Sequence, residues 1–337
     1  MNEPLLSVRD LRVTLPGERG GALPVVRGLS FDVRPGEALA LIGESGAGKS
    51  MAARAVLGTA PYGATVTGSV RLGERELLGA RPRELRAVRG SRVALIPQDA
   101  LSVLSPVHTV GAQLVRALRA HGRLSPSQAR ERAVAALDRV GIPDAARRAR
   151  AYPHEFSGGM RQRAVIAMAT VNDPEVVFAD EPTTALDPRT SGIVLDLLAD
   201  LRRWTGAALV LITHDLAVVH GRADRVVVAY AGRHVESGPA DRVLTDPRAP
   251  YTAGLVAAVP PREAADRRLP AIGGSPPSPA ALPPGCAFAP RCPLADAHCE
   301  ADAPAPVPTG DPGHLVSCHH WRDVPVPAHT LFSRAAV

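Results

Sequence analysis

Lysine is almost absent from this sequence. Of 39 Lys and Arg residues in 337, all but Lys49 are arginine. Aromatic residues make up 3% of the chain, so whatever core forms is built from Leu, Val and Ala. Cysteine does not occur before Cys286, which excludes a disulfide framework over most of the chain. No stretch approaches 18 uncharged apolar residues, and residues 1–10 carry no secretion signal, so no membrane span is expected. The expected location is the cytosol, or a membrane surface reached through a partner. The net charge of +6 would permit contact with nucleic acid, but the arginines are scattered (Arg81, Arg83, Arg86, Arg89; Arg147, Arg148, Arg150) and not interleaved with aromatics. That pattern lacks the footprint of a nucleic-acid binder, and no nucleic-acid partner is expected.

The one lysine sits in Gly43-Glu44-Ser45-Gly46-Ala47-Gly48-Lys49-Ser50, which matches the phosphate-loop pattern G-x-x-x-x-G-K-[ST]. A compact ammonium on a flexible stem does what a planar guanidinium cannot, which explains a lysine in so arginine-rich a chain. Backbone N–H groups of the loop form an anion nest, and the positive end of the following helix faces the same point. Lys49 is expected to reach the β- and γ-phosphates and Ser50 to ligate Mg²⁺. The flanks agree: Ala38–Ile42 reads as a buried parallel strand and Met51–Leu57 as a helix.

Short β-type runs occur at Ser7–Val13 and Leu29–Val33, and buried strands are expected at Val93–Ile96, Val176–Ala179, Leu209–Ile212 and Arg225–Tyr230. Between about 100 and 162 the periodicity turns helical, with Gln113–His121 and Ser127–Val140 as helices and Ser125-Pro126 as a start signal. A helical insert therefore interrupts an α/β core, and length suggests about two domains. From about Pro260 the composition shifts to Pro, Ala and Gly.

Two carboxylates, Asp180 and Glu181, end the Val176–Ala179 run, where strand C-termini present ligands. Asp180 is placed to hold Mg²⁺, and Glu181 to orient and polarise an attacking water. Ser157-Gly158-Gly159-Met160-Arg161-Gln162, ahead of the apolar helix Ala164–Val171, makes a second anion site. One phosphate loop needs one such site, so the second is expected to serve a different nucleotide.

In this order, Gly43–Ser50, Gln98, Ser157–Gln162, Asp180-Glu181, Ala185-Leu186-Asp187 and His214 resemble the P-loop, Q-loop, signature, Walker B, D-loop and H-loop of an ABC-type ATPase. The resemblance implies an α/β P-loop nucleotide-binding domain with an α-helical subdomain over residues 1–240. Residues 241–337 are similar to the Pro-rich, Cys-containing C-terminal extension of ATP-binding subunits of dipeptide/oligopeptide importers. Tyr152–Gly159, Pro250-Tyr251-Thr252 and Gly285-Cys286…Pro290-Arg291-Cys292-Pro293 carry that likeness. It implies an ATPase working as a head-to-tail dimer with a second ABC ATPase chain, two permease subunits and an extracytoplasmic peptide-binding protein, at the cytoplasmic face of the membrane. Ser157, Gly158 and Gly159 would meet the partner's ATP, and His214 the γ-phosphate. Gln98 would sense Mg²⁺ or water, with the Asp99–His108 loop facing the permease. Importers of another cargo such as nickel, a non-transport ABC ATPase, or a metal-sensing regulator are the alternatives; tandem ATPase domains or a long coiled coil, marks of the non-transport class, are absent.

Two features depart from the family pattern. Leu15 stands where an aromatic usually stacks on adenine, with Tyr62 and Phe31 as conceivable substitutes, and the signature opens on Phe156 with Met160 after the glycines. The four cysteines, Cys286, Cys292, Cys299 and Cys318, are spaced C-x5-C-x6-C-x18-C, without the short C-x2-C of zinc fingers. Four thiolates match the ligand count of a [4Fe–4S] cluster, and the extension they resemble is associated with one; Zn²⁺ or free thiols are the alternatives.

Overall fold

The computed structural model describes residues 3–17, 20–122, 124–184, 186–259 and 270–332. The chain divides into two compact units, one of residues 1–3, 34–37 and 79–212, the other of 4–33, 38–78 and 213–337.

The first unit carries three parallel strands, Val93–Ile96, Val176–Asp180 and Ala208–Thr213, in register Val93↔Val176 and Val176↔Ala208. All five residues of Val176–Asp180 are buried, as a central parallel strand requires. The helices around them begin where their caps dictate. Ser125 accepts from Gln128 N while the Gln128 side chain accepts from Ser125 N, closing a capping box at the head of Pro126–Arg139. Thr109 caps Val110–His121, and the apolar faces of the two helices, Leu114 and Leu118 with Ala129, Ala133 and Leu137, are fully buried. The helix read as Ala164–Val171 starts earlier, at Gly158. An 18-residue helix, Pro188–Thr205, lies outside the expectations; its signal was Asp187-Pro188, an N-cap followed by a proline in the first turn.

In the second unit an antiparallel sheet runs in the order Ala22–Val33, Leu6–Pro16, Thr65–Leu72, Arg75–Glu76. Beside it Ala38–Ile42 pairs in parallel with Arg225–Tyr230, and Arg233–Pro239 adds antiparallel to the latter. The C-terminal extension continues this sheet: Leu315–Val316 pairs with Arg233–Pro239, and Val307–Pro308 with Leu315–Val316. Glu236 fixes that junction. Its carboxylate is fully buried and accepts from Arg248 N at 2.7 Å, Ala249 N at 3.0 Å and His314 Nε2 at 2.8 Å. His234, on the same strand, holds Ser317 and Ser237 hydroxyls through its two ring nitrogens, and burial pushes its pKa down to about 4. Among the described residues no helix is long and apolar enough to cross a membrane.

Glu236→Ala would leave three donors, two of them buried, without their acceptor, at a cost on the order of 3 kcal/mol. We expect a clearly lowered urea midpoint for the full chain. An unchanged midpoint would remove Glu236 from the interactions that hold the extension.

Candidate functional site

The phosphate loop follows the buried Ala38–Ile42 strand and turns into a helix at Lys49, two residues earlier than expected. Its glycines are required by close approach. A Cβ on Gly43 would lie 2.1 Å from Ala229 O, and one on Gly48 2.4 Å from Val25 O, with φ of 150° and 89°. Lys49 is 5% exposed, and its Nζ donates to Gly43 O at 2.7 Å and Glu44 O at 2.9 Å. The ammonium is therefore folded over the loop that supplied it. Ser45 and Gly46 are exposed, Ala47 is buried, and Ser50 is half-buried in the first turn of the helix.

Two residues to which the sequence assigned no role hold this loop. The Tyr251 hydroxyl accepts from Glu44 N at 2.8 Å. Arg291 forms a two-pronged pair with the Glu44 carboxylate, at 2.7 and 2.9 Å. Both lie in strings that marked the family likeness, which named the extension but not its destination.

In the first unit, Asp180 is 5% exposed at the end of its strand. Glu181, the next residue, has φ of 45°, a left-handed conformation that costs energy in a residue with a side chain. Among the bonds that hold it, Glu181 N donates to Ile212 O at 2.9 Å, and Glu181 Oε2 accepts from Gln98 Nε2 and Thr184 Oγ1, each at 2.9 Å. Gln98 and Glu181, 83 residues apart in sequence, are thus brought together; Thr184 had not been singled out. The signature segment lies in the same unit. Ser157 is exposed and caps the Gly158–Thr170 helix by accepting from Met160 N at 3.3 Å. A Cβ on Gly158 would meet open space, whereas one on Gly159 would lie 2.8 Å from Thr190 Cγ2. The buried Gln162 donates to Pro182 O at 2.9 Å, tying the signature helix to the segment after Glu181. Of the D-loop, Ala185 lies outside the described residues, and Asp187 caps the next helix.

His214, in the second unit, is exposed immediately after Thr213, and Asp215 beside it caps the short helix Leu216–Val219. Leu15 is half-buried in its strand, opposite Leu23. Phe31 is 5% exposed, turned to the core by the alternation of its strand, which removes it as a stacking surface; Tyr62 is fully exposed.

Cys286, Cys292, Cys299 and Cys318 are all unbridged and line one cavity of about 50 Å³, together with His319 and His320. Burial pushes the Cys292 thiol up to about 11 and Cys318 to about 12, with the neighbouring sulfurs adding to both shifts. Cys292, Cys299 and Cys318, whose anions are disfavoured by burial and by neighbouring sulfurs, fit a cationic group in the cavity that all four thiols line, and such a group would favour the anions. Asp296, Cys299 and His320 also present ligand atoms within 4.8 Å of one another. Their closeness has a metal-free explanation too, since Asp296 accepts from Cys299 N and lies 3.0 Å from His320 Nε2.

Comparison with known proteins agrees with this geometry. Residues 26–184 match the ABC transporter family, and residues 235–299 the oligopeptide/dipeptide transporter C-terminal region. The chain is 51% identical over 298 residues to the oligopeptide transport ATP-binding protein OppD of Mycobacterium tuberculosis, covering 88% of this chain and 48% of that protein, so it spans about half the relative's length. It is 42% identical to the dipeptide transport ATP-binding protein DppD of Bacillus subtilis and 43% identical to OppD of Escherichia coli, covering 94% of this chain in both cases and 94% and 93% of those proteins. The ATP-binding cassette MJ0796, solved as a dimer bound to ADP and Pi, matches with a TM-score of 0.61 over 70% of this chain and 98% of that one, at 24% identity, a likeness of fold. The chain belongs to the ABC transporter family of ATP-binding proteins, in the branch carrying the oligopeptide/dipeptide transporter C-terminal region.

Proposed function

We propose that this chain is the ATP-hydrolysing subunit that energises import of di- or oligopeptides. The observation that carries the hydrolytic part is the Glu181 carboxylate, held by Gln98 and Thr184 just past a buried strand. A carboxylate fixed there can orient a water and take its proton as the γ-phosphoryl is attacked. Lys49 and the loop N–H groups of residues 43–50 bind the phosphates, and His214 meets the γ-phosphate. Ser157, Gly158 and Gly159 serve the ATP of a partner ATPase, and the open helix N-terminus at Gly158 supports that role. Ser50, Gln98 and Asp180 would hold Mg²⁺, which supplies charge neutralisation at the phosphates. The printed names of the relatives support the peptide cargo.

In this reading residues 1–240 form the nucleotide-binding domain, with its helical insert at about 100–162, and 241–337 the extension. The partners are a second ABC ATPase, two permease subunits and an extracytoplasmic peptide-binding protein, and the chain sits peripherally at the cytoplasmic face of the membrane. The four cysteines hold a metal centre, read first as [4Fe–4S] on ligand number. The mixed sulfur, nitrogen and oxygen set of Asp296, Cys299 and His320 favours Zn²⁺ as the second reading.

In the assembled transporter, Glu181→Gln should bind Mg-ATP yet lose about 10²-fold or more of its turnover. Lys49→Ala should weaken binding itself. Wild-type turnover by Glu181→Gln would assign the water to another group.

Leu15→Tyr should tighten ATP binding, since a base stacked on an aromatic gains about 1–3 kcal/mol. Equal affinities in a nucleotide titration would move the adenine platform elsewhere.

Anaerobically purified protein should be brown and contain iron and sulfide, with less of both after Cys→Ser at any of the four positions. Colourless protein with stoichiometric zinc would decide for the second reading, and metal-free protein with normal transport would leave the thiols without a metal role.

A further inference from the structure

Glu44, the second residue of the phosphate loop, is gripped twice by the C-terminal extension. Its N–H donates to the Tyr251 hydroxyl at 2.8 Å, and its carboxylate takes Arg291 Nη1 and Nη2 at 2.7 and 2.9 Å. The Arg291 side chain is 6% exposed and that of Glu44 26%, so this pair is largely shielded from water. The guanidinium is fixed on its other sides as well. Nη1 also donates to the Tyr230 hydroxyl at 3.0 Å, and Nε to Gly273 O at 2.8 Å. The guanidinium carbon lies 5.7 Å from the Tyr230 ring centre and 5.8 Å from that of Phe288, and the rings of Tyr230, Tyr251 and Phe288 pack against one another at 4.6 to 5.4 Å.

A buried guanidinium with so many fixed partners is a rigid strut, and a two-pronged pair sets the direction of the carboxylate as well as its distance. The strut ends on the loop itself. Lys49 Nζ rests on the carbonyls of Gly43 and Glu44, so a displacement of Glu44 displaces the seat of the phosphate-binding ammonium.

The geometry points to Arg291 as a positioning residue of the phosphate loop, acting through Glu44, so that nucleotide affinity depends on the folded state of the cysteine-bearing extension. Arg291 lies directly beside Cys292, which joins the order of the thiol-lined segment to the order of the loop. The proposal rests on residues 43–50 being the phosphate loop.

The test is equilibrium binding of a fluorescent ATP analogue with Mg²⁺ to the full chain. Arg291→Ala and Glu44→Gln should each weaken binding roughly tenfold, and the double variant no further, because paired residues are not additive. Arg291→Lys, a point charge without the fork, should recover less than half of the loss. Unchanged affinity in Arg291→Ala, or losses that add in the double variant, would overturn the proposal. Glu44→Gln leaves the extension's own bonds to Arg291 in place, so it decides alone if Arg291→Ala does not fold: weaker binding at an unchanged urea midpoint supports the strut, and unchanged binding overturns it. Lys49→Ala separates the underlying assignment. If that variant binds like wild type, the loop assignment fails and the strut with it; if it binds weakly while Arg291→Ala does not, the strut alone fails.

Discussion

At Gly43 the chain leaves its strand so close to the neighbouring one that no side chain fits, and at Gly48 it passes the backbone of Val25 in the same way. This close passage is the constraint on which the phosphate loop depends. It confines the turn between Ile42 and the helix that starts at Lys49. The passage in turn requires the parallel pairing of Ala38–Ile42 with Arg225–Tyr230, since Ile42↔Val228 sets where the loop begins relative to Ala229. Lys49 can then fold back onto the carbonyls of Gly43 and Glu44. A small shift in register would undo all of these at once.

Glu181 illustrates how backbone strain is held in place. A left-handed glutamate persists only where its surroundings over-determine it, and here a backbone bond to Ile212 and two side-chain donors do so. The parallel register Asp180↔Ile212 sets the first of these, and the turn through Thr184 supplies one of the others. Gln162 adds a tie from the signature helix to Pro182, so the residues flanking the carboxylate are fixed from several directions.

The extension, foreign in composition, is integrated by buried polar bonds as well as by the packing of Tyr251, Phe288 and Phe332 into one apolar core with Val226 and Val228. Proline-rich chain buries little and offers few N–H donors of its own. Glu236 collects three donors, His234 joins two serines, and Arg291 links to Glu44, Tyr230 and Gly273. Buried polar groups are costly unless each is paired, so these bonds select one arrangement of the segment. That arrangement brings the four thiols around one cavity.

The strands and the main motifs were legible in the sequence because their signals are local. An apolar run, a glycine-rich turn, or Ser125-Pro126 ahead of a periodic stretch depends only on near neighbours, and Ala38–Ile42, Val93–Ile96 and Arg225–Tyr230 stand where they were read. The order of the motifs sufficed to name the family. Burial was less legible: Phe31 could be offered as a stacking ring until the alternation of its strand turned it inward. Pairings across long separations were not legible at all. Gln98 with Glu181 spans 83 residues, and Glu44 with Arg291 spans 247. Nothing in the residues around Arg291 says that its guanidinium ends on a phosphate loop; strand register and the packing of Tyr230, Tyr251 and Phe288 decide that. The sequence by itself determined which groups are available for phosphate chemistry, since covalent order and local periodicity suffice for it. Which groups meet was decided by the tertiary structure, because a hydrogen bond depends on position in space.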